Sequence, residues 1–226
     1  MSSLFVNTVE RSKLLENSIN FLSHSLNSRQ INDLELLMNG AFSPLEGFLN
    51  KDDYKSVLKN MRLSNGLLFP MPITLDVPED LVSNLKINEF LALRDPEGLI
   101  LAVLKVESIY QPDLNKEAED IFNTHDISHP GVDYLLNKSE KNYVGGKILG
   151  LNKPRHFDFL DFRHDPEDLK KFFKEKGWTK IVAFQTRNPM HRAHYEILKR
   201  AADEADAKVL IHPVVGLTKL GDVDHY

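Results

Sequence analysis

Cysteine is absent from the 226 residues. Its absence excludes disulfide frameworks, thiolate nucleophiles and cysteine-ligated zinc or iron–sulfur centres, and it suits a reducing compartment. Positive charge is not in excess: 28 Lys and Arg stand against 33 Asp and Glu, a formal charge of −5. The broad basic footprint of a nucleic-acid coat is therefore missing, and any anion has to be met locally. No run of about 18 apolar residues occurs, and the opening segment reaches its first charges before an apolar core develops. A soluble, cytoplasmic chain with neither nucleic acid nor membrane as partner is expected. Fixed-period repeats and low-complexity tracts are also lacking, which sets aside solenoids and propellers. Neither GxGxxG nor GxxxxGK[ST] is found, so the usual dinucleotide and P-loop sites are excluded. What is present is an ordinary globular balance of 42% hydrophobic and 27% charged residues, at a length that fits one large or two small domains.

Two regimes divide the chain. Up to about residue 160 it is broken by turn signals: Asn39-Gly40, Ser43-Pro44, Asn65-Gly66, Asp95-Pro96-Glu97-Gly98, Pro130-Gly131 and Gly145-Gly146. Helices there should be short. Ile31, Leu34, Leu37 and Met38 share one helical face that Asn39-Gly40 ends, and a second helix is expected over 52–60 behind an Asn50 cap. Segments 90–93 and 99–106 flank the Asp-Pro-Glu-Gly turn as a hairpin, while Pro70 and Pro72 confine their segment to an edge or bulge. Residues 1–160 thus read as a β-rich α+β domain.

From about Asp165 the pattern becomes that of an alternating α/β fold. Asp165 as N-cap, Pro166 at the first helical position, Glu167 and Asp168 at the positive end of the dipole and Gly177 as a stop define a helix, with Leu169, Phe172 and Phe173 as its buried stripe. A strand over 180–185, a polar turn Thr186-Arg-Asn-Pro189, a helix to about Ala205 with Ile197, Leu198, Ala201 and Ala202 inward, and a strand over 208–212 make a βαβ unit with parallel strands.

The strand-to-helix turn is where chemistry is expected, because ligands of open α/β sheets bind beyond the carboxyl ends of strands and helix N-termini attract anions. Asn188 is placed to cap the helix, Pro189 fits its first turn, and Arg187 offers a planar fork of donors suited to an oxyanion. His191 and His194, three residues apart, fall on one face of the first turn. An Arg and two imidazoles stand where a stable helix would prefer carboxylates, which makes sense if a polyphosphate supplies the negative charge. Zinc does not fit: the spacing lacks the HExxH glutamate, and no third ligand is evident. His125, His129, His212 and His225 are read as structural or solvated, and Asp52-Asp53 and Asp158/Asp161 as cap and surface acids.

The segment Gln185-Thr-Arg-Asn-Pro-Met-His-Arg-Ala-His194 resembles the signature of the ATP sulfurylase family. Segments 33–49, 72–76, 143–146 and 208–219 resemble family segments as well, so the likeness covers about residues 24–226. It implies a PUA-like, barrel-like domain over 1–160, followed over 161–226 by the first βαβ portion of a Rossmann-like nucleotidyltransferase domain. It further implies that MgATP and sulfate are the substrates, with no tightly bound cofactor and no protein-held metal, and that adenosine 5′-phosphosulfate and pyrophosphate are the products. On that likeness Gln185 and Arg187 hold sulfate, and Gln185, Thr186, Arg187 and Asn188 touch the nucleotide. Thr186, Arg187 and Asn188 form the catalytic turn, and His191 and His194 stabilise the transition state and the departing pyrophosphate.

The family's second nucleotide motif, GRDHAG, does not occur, so the sequence is expected to be an N-terminal fragment that is inactive alone, of a family whose full-length members are homo-oligomers. Two other readings are open: an RNA-binding PUA-type module, which the −5 charge disfavours, and another HxGH-type nucleotidyltransferase, against which the Arg187 turn favours sulfate as acceptor.

Overall fold

The computed structural model describes residues 3–215 and 223. The chain divides into two compact units, Met1–Arg163 and His164–Tyr226.

In the first unit the elements run α1 (Thr8–Asn17), β1 (Leu22–Ser25), α2 (Ser28–Met38), β2 (Gly47–Phe48), α3 (Lys51–Asn60), β3 (Asp76–Val77), α4 (Glu79–Val82), β4 (Phe90–Arg94), β5 (Ile100–Tyr110), α5 (Leu114–Phe122), α6 (Pro130–Asp133) and β6 (Asn142–Gly150). They build a mixed six-stranded sheet in the order β1-β4-β5-β6-β2, with β3 also paired to β6. Only β1 and β4 run parallel; the other pairs are antiparallel. The expected hairpin is β4–β5, closed by the Asp95 N–H to Leu99 carbonyl bond with Gly98 at φ 91°.

Local chemistry explains the helices. Asn27 and Gln30 form a reciprocal capping box at the start of α2, and Gly40 at φ 82° lies just past its end. Asn50 caps α3 through the N–H groups of Asp52 and Asp53. Leu34, Leu37 and Met38 are fully buried against the sheet, each worth about 1.5–3 kcal/mol of apolar transfer.

Two turn signals are corrected. Gly145-Gly146 is not a turn but the middle of β6. Glycine is needed there for space: a Cβ on Gly145 would run into the carbonyl of Leu49, and one on Gly146 into that of Lys105. Pro130-Gly131 opens α6, whose cap is His129, accepting from the Gly131 N–H at 3.2 Å. The 67–75 segment with Pro70 and Pro72 stays outside the named strands, and only Asp76–Val77 joins the sheet.

A polar knot is buried between α3, α5 and the sheet. Glu117 accepts from the Tyr54 hydroxyl at 2.7 Å and from the Tyr143 hydroxyl at 3.1 Å. The rings of Tyr54, Tyr110 and Tyr143 pack on one another at 5.4–5.8 Å. Burial pushes the Glu117 carboxyl up, against the opposing pull of the two hydroxyls and of Arg29. The folded state therefore holds this proton more tightly than the unfolded chain. The resulting stability is complete below about pH 4.3, the ordinary glutamate value, and is lost as pH rises toward the folded value.

The second unit holds α7 (Pro166–Glu175), β7 (Ile181–Thr186), α8 (Arg192–Ala205) and β8 (Lys208–Pro213). β7 and β8 are adjacent and parallel, in the register Gln185↔His212 and Thr186↔Pro213. Leu198 is the only buried side chain among this unit's described residues, with Ala201 and Ala202 half-buried.

Two inward expectations fail here. Ile197 is 64% exposed, because a two-stranded pair is too narrow to cover the helix position beside Leu198 as well. Phe172 is 43% exposed. Its stripe closes instead on Trp178 just past Gly177, with Phe173 stacked on the indole at 6.2 Å and Phe172 edge-on at 5.6 Å.

Urea unfolding should show Glu117→Gln gaining stability relative to the wild type between pH 5 and pH 8, since the amide keeps an acceptor for both hydroxyls and does not titrate. A difference that is the same at both pH values would contradict the assignment. Glu117→Ala should be less stable by about 1–3 kcal/mol for each tyrosine hydroxyl left unpaired.

Candidate functional site

The site is built at the carboxyl end of β7. Gln185 and Thr186 are the last two residues of the strand, Arg187 to Met190 make the turn, and α8 follows. The ladder fixes the strand end: Gln185 lies opposite His212, and the Thr186 carbonyl accepts from the Val214 N–H at 2.8 Å.

Beyond that point Thr186 organises the turn through its side chain. Its hydroxyl donates to the Asn188 carbonyl at 2.7 Å and accepts from the Asn188 N–H at 3.2 Å. Asn188 is half-buried, and its Oδ1 accepts from the Val223 N–H at 2.9 Å. Gln185 and Arg187 are exposed.

The helix begins later than the sequence suggests. Asn188 is not its cap: it lies three residues before the helix cap, with its backbone bonded to the Thr186 hydroxyl and its Oδ1 accepting from Val223. His191 takes the N-cap position, with φ −74° and ψ 158°, and His194 falls three residues on. Their rings lie 5.5 Å apart, and the His191 N–H points at His194 Nδ1 at 3.4 Å. The two imidazoles are thus brought together and sit closer to the turn than a helix starting at Pro189 would put them. The first turn of α8 contains no acidic residue, so no carboxylate there offsets the partial positive charge of the helix start.

Sequence reasoning missed Phe184, whose ring lies 5.3 Å from that of His194. Period-2 alternation puts it on the same face of β7 as Thr186, the one signal that could have marked it. His212 is exposed, and the register sets it beside Gln185. His125 pairs with Glu119 at 3.1 Å and His129 caps α6. His225 lies outside the described residues. Among the described residues no group of three or more His, Asp or Glu could hold a metal ion. No helix among them is long and apolar enough to cross a membrane.

Comparison with known proteins assigns both units. Residues 1–153 match a family model described as a PUA-like domain, and residues 160–226 match the ATP-sulfurylase model. The chain's residues 160–226 belong to the ATP-sulfurylase family. The chain is 50% identical over 203 residues to a sulfate adenylyltransferase of Schizosaccharomyces pombe, covering 89% of this chain and 41% of that protein. It is 48% identical over 230 residues to one from Gibberella zeae, covering 100% of this chain and 40% of the relative. The chain thus spans about two fifths of the length of these curated relatives. A solved structure described as a hexameric APS kinase from Thiobacillus denitrificans superposes with a TM-score of 0.79 at 31% identity, over 98% of this chain and 40% of that one. The turn of 185–194 lies inside the segment that the ATP-sulfurylase match covers.

Replacing Thr186 by valine should remove both hydroxyl contacts to Asn188 and leave the ladder intact. The Asn188 amide should then exchange with solvent about 5-fold faster, the equivalent of ~1 kcal/mol for one net hydrogen bond, while the Val214 amide keeps its protection.

Proposed function

We propose that residues 185–194 form the substrate-binding turn of a sulfate adenylyltransferase, which joins sulfate to the adenylyl group of MgATP and releases pyrophosphate. The observation that carries this reading is the turn itself. A parallel strand ends on Gln185 and Thr186, an arginine follows at Arg187, and two imidazoles, His191 and His194, occupy the first turn of the next helix without an acidic neighbour. The roughly 50% identity to sulfate adenylyltransferases supports the substrate assignment.

The chemistry suits these groups. Sulfate is a dianion at neutral pH, so its oxygen attacks the α-phosphorus of ATP without a general base. The new S–O–P bridge forms as the bond from the α-phosphorus to the bridging oxygen breaks, and the electron pair leaves with pyrophosphate. The demand on the protein is to bring two anions together and to offset the charge that develops. Gln185 and Arg187 are assigned to sulfate, and Gln185 to Asn188 to the nucleotide. Thr186, Arg187 and Asn188 serve as the catalytic turn, and His191 and His194 meet the transition state and the leaving pyrophosphate. Mg²⁺ enters with ATP as part of the substrate.

The domain limits 1–160 and 161–226, a cytoplasmic location and homo-oligomerisation belong to the same proposal. The RNA-binding alternative is not favoured, since the PUA-like match is followed directly by the ATP-sulfurylase match.

In the active protein, Arg187→Ala should lower sulfate-dependent release of pyrophosphate from MgATP by about 10²-fold or more, the usual cost of removing one preorganised donor to developing charge. Unchanged turnover in a folded variant would refute the role of Arg187.

A further inference from the structure

His194 reaches the turn with one ring nitrogen already committed. The first N–H groups of a helix have no intrahelical partner, and a side-chain acceptor normally satisfies one of them. Here the N-cap is His191, three residues past Asn188, whose Oδ1 accepts from Val223. The His191 N–H turns to Nδ1 of His194 at 3.4 Å. A ring nitrogen that accepts carries no hydrogen, so a neutral imidazole bonded in this way bears its proton on Nε2.

A second observation fixes the ring from its sides. The Phe184 ring lies 5.3 Å from that of His194 with a 43° tilt, and the His191 ring lies 5.5 Å away with a 58° tilt. The half-buried imidazole is thus in a row of three rings, two of them belonging to the helix start and one to the strand. Turning the ring over about its Cβ–Cγ bond would exchange Nδ1 for Cδ2–H and leave the His191 N–H without that acceptor.

We propose that Phe184 is a positioning residue which, together with the His191 amide, holds His194 as the Nε2–H tautomer, so that His194 meets an anionic ligand as a neutral hydrogen-bond donor. The ligand rests on the functional reading above; the tautomer does not. The proposal also resolves the electrostatic oddity of the sequence. A cationic imidazolium in the first turn would oppose the helix dipole, whereas a neutral ring whose Nδ1 accepts from a terminal N–H does what a capping side chain does. Its Nε2–H is left for a phosphate oxygen, and Arg187 supplies the positive charge from the turn, outside the helix.

Long-range proton–nitrogen correlation spectra of the histidine-labelled 226-residue chain at pH 8 test this directly, with the His194→Asn variant identifying the signal. The wild type and Phe184→Tyr should show His194 as Nε2–H alone. Phe184→Leu should show both tautomers, and so should Phe184→Met, which keeps more of the ring's volume if the leucine variant does not fold. An Nδ1–H form in the wild type would overturn the tautomer, and a Phe184→Met spectrum identical to the wild type would overturn the role of Phe184. Added pyrophosphate separates the two readings. A His194 signal that keeps its tautomer but ignores pyrophosphate supports the positioning role and counts against the functional assignment; a shift of Nε2 supports both.

Discussion

The parallel ladder between Ile181–Thr186 and Lys208–Pro213 is the constraint from which the candidate site follows. Parallel neighbours cannot be joined by a tight turn, so the chain must cross over, and here it crosses as the helix Arg192–Ala205. The geometry then leaves no freedom about where the connecting residues go: the turn lies at the carboxyl end of one strand and the amino end of one helix. The Val214 N–H to Thr186 carbonyl bond pins the last strand residue, and Leu198 pins the helix. Between those two anchors the Thr186 hydroxyl shapes Asn188, and Phe184 flanks His194.

The sheet of the first unit is governed by a different constraint, close backbone approach. Gly145 and Gly146 let the central ladder pass against the Leu49 and Lys105 carbonyls, where any Cβ would collide. With the sheet that tight, the polar groups enclosed beside it have to be paired. Gln30 bonds both the backbone and the side chain of Asp76, and Arg29 pairs with Asp33 and Asp76. Glu117 differs: it accepts from the hydroxyls of Tyr54 and Tyr143, with no ion pair to a cation among the described residues. Its raised affinity for a proton is the cost of that choice. None of the residues of the 185–194 turn belongs to this unit.

Charge placement explains how a chain with a formal charge of −5 can still leave a helix start without acidic residues. Acids stand at other helix starts, such as Asp52 and Asp53 in the first turn of α3 and Asp113 at the cap of α5, while the first turn of the helix at Arg192 carries none. A local potential decides anion binding, and the net charge of the whole chain is a poor guide to it.

Much of this protein is determined by short stretches of sequence. The helix that Asn39-Gly40 ends, those behind Asn50 and Asp165, the hairpin around Asp95-Pro96-Glu97-Gly98 and the βαβ unit could be read directly, because caps, turn residues and alternation act over a few positions. The composition and place of the 185–194 turn could be read in the same way, and its family resemblance with it. Tertiary structure alone decided that Gly145-Gly146 is strand, that Ile197 and Phe172 are wet, that His191 caps the helix in place of Asn188, and that Phe184 and His212 stand beside the site. Each of those outcomes depends on a partner distant in sequence: the Leu49 and Lys105 carbonyls, the width of a two-stranded sheet, the Val223 amide, the register of a neighbouring strand. Local patterning encodes which conformation a segment prefers, but which side chains meet is set by the packing of segments far apart in the chain.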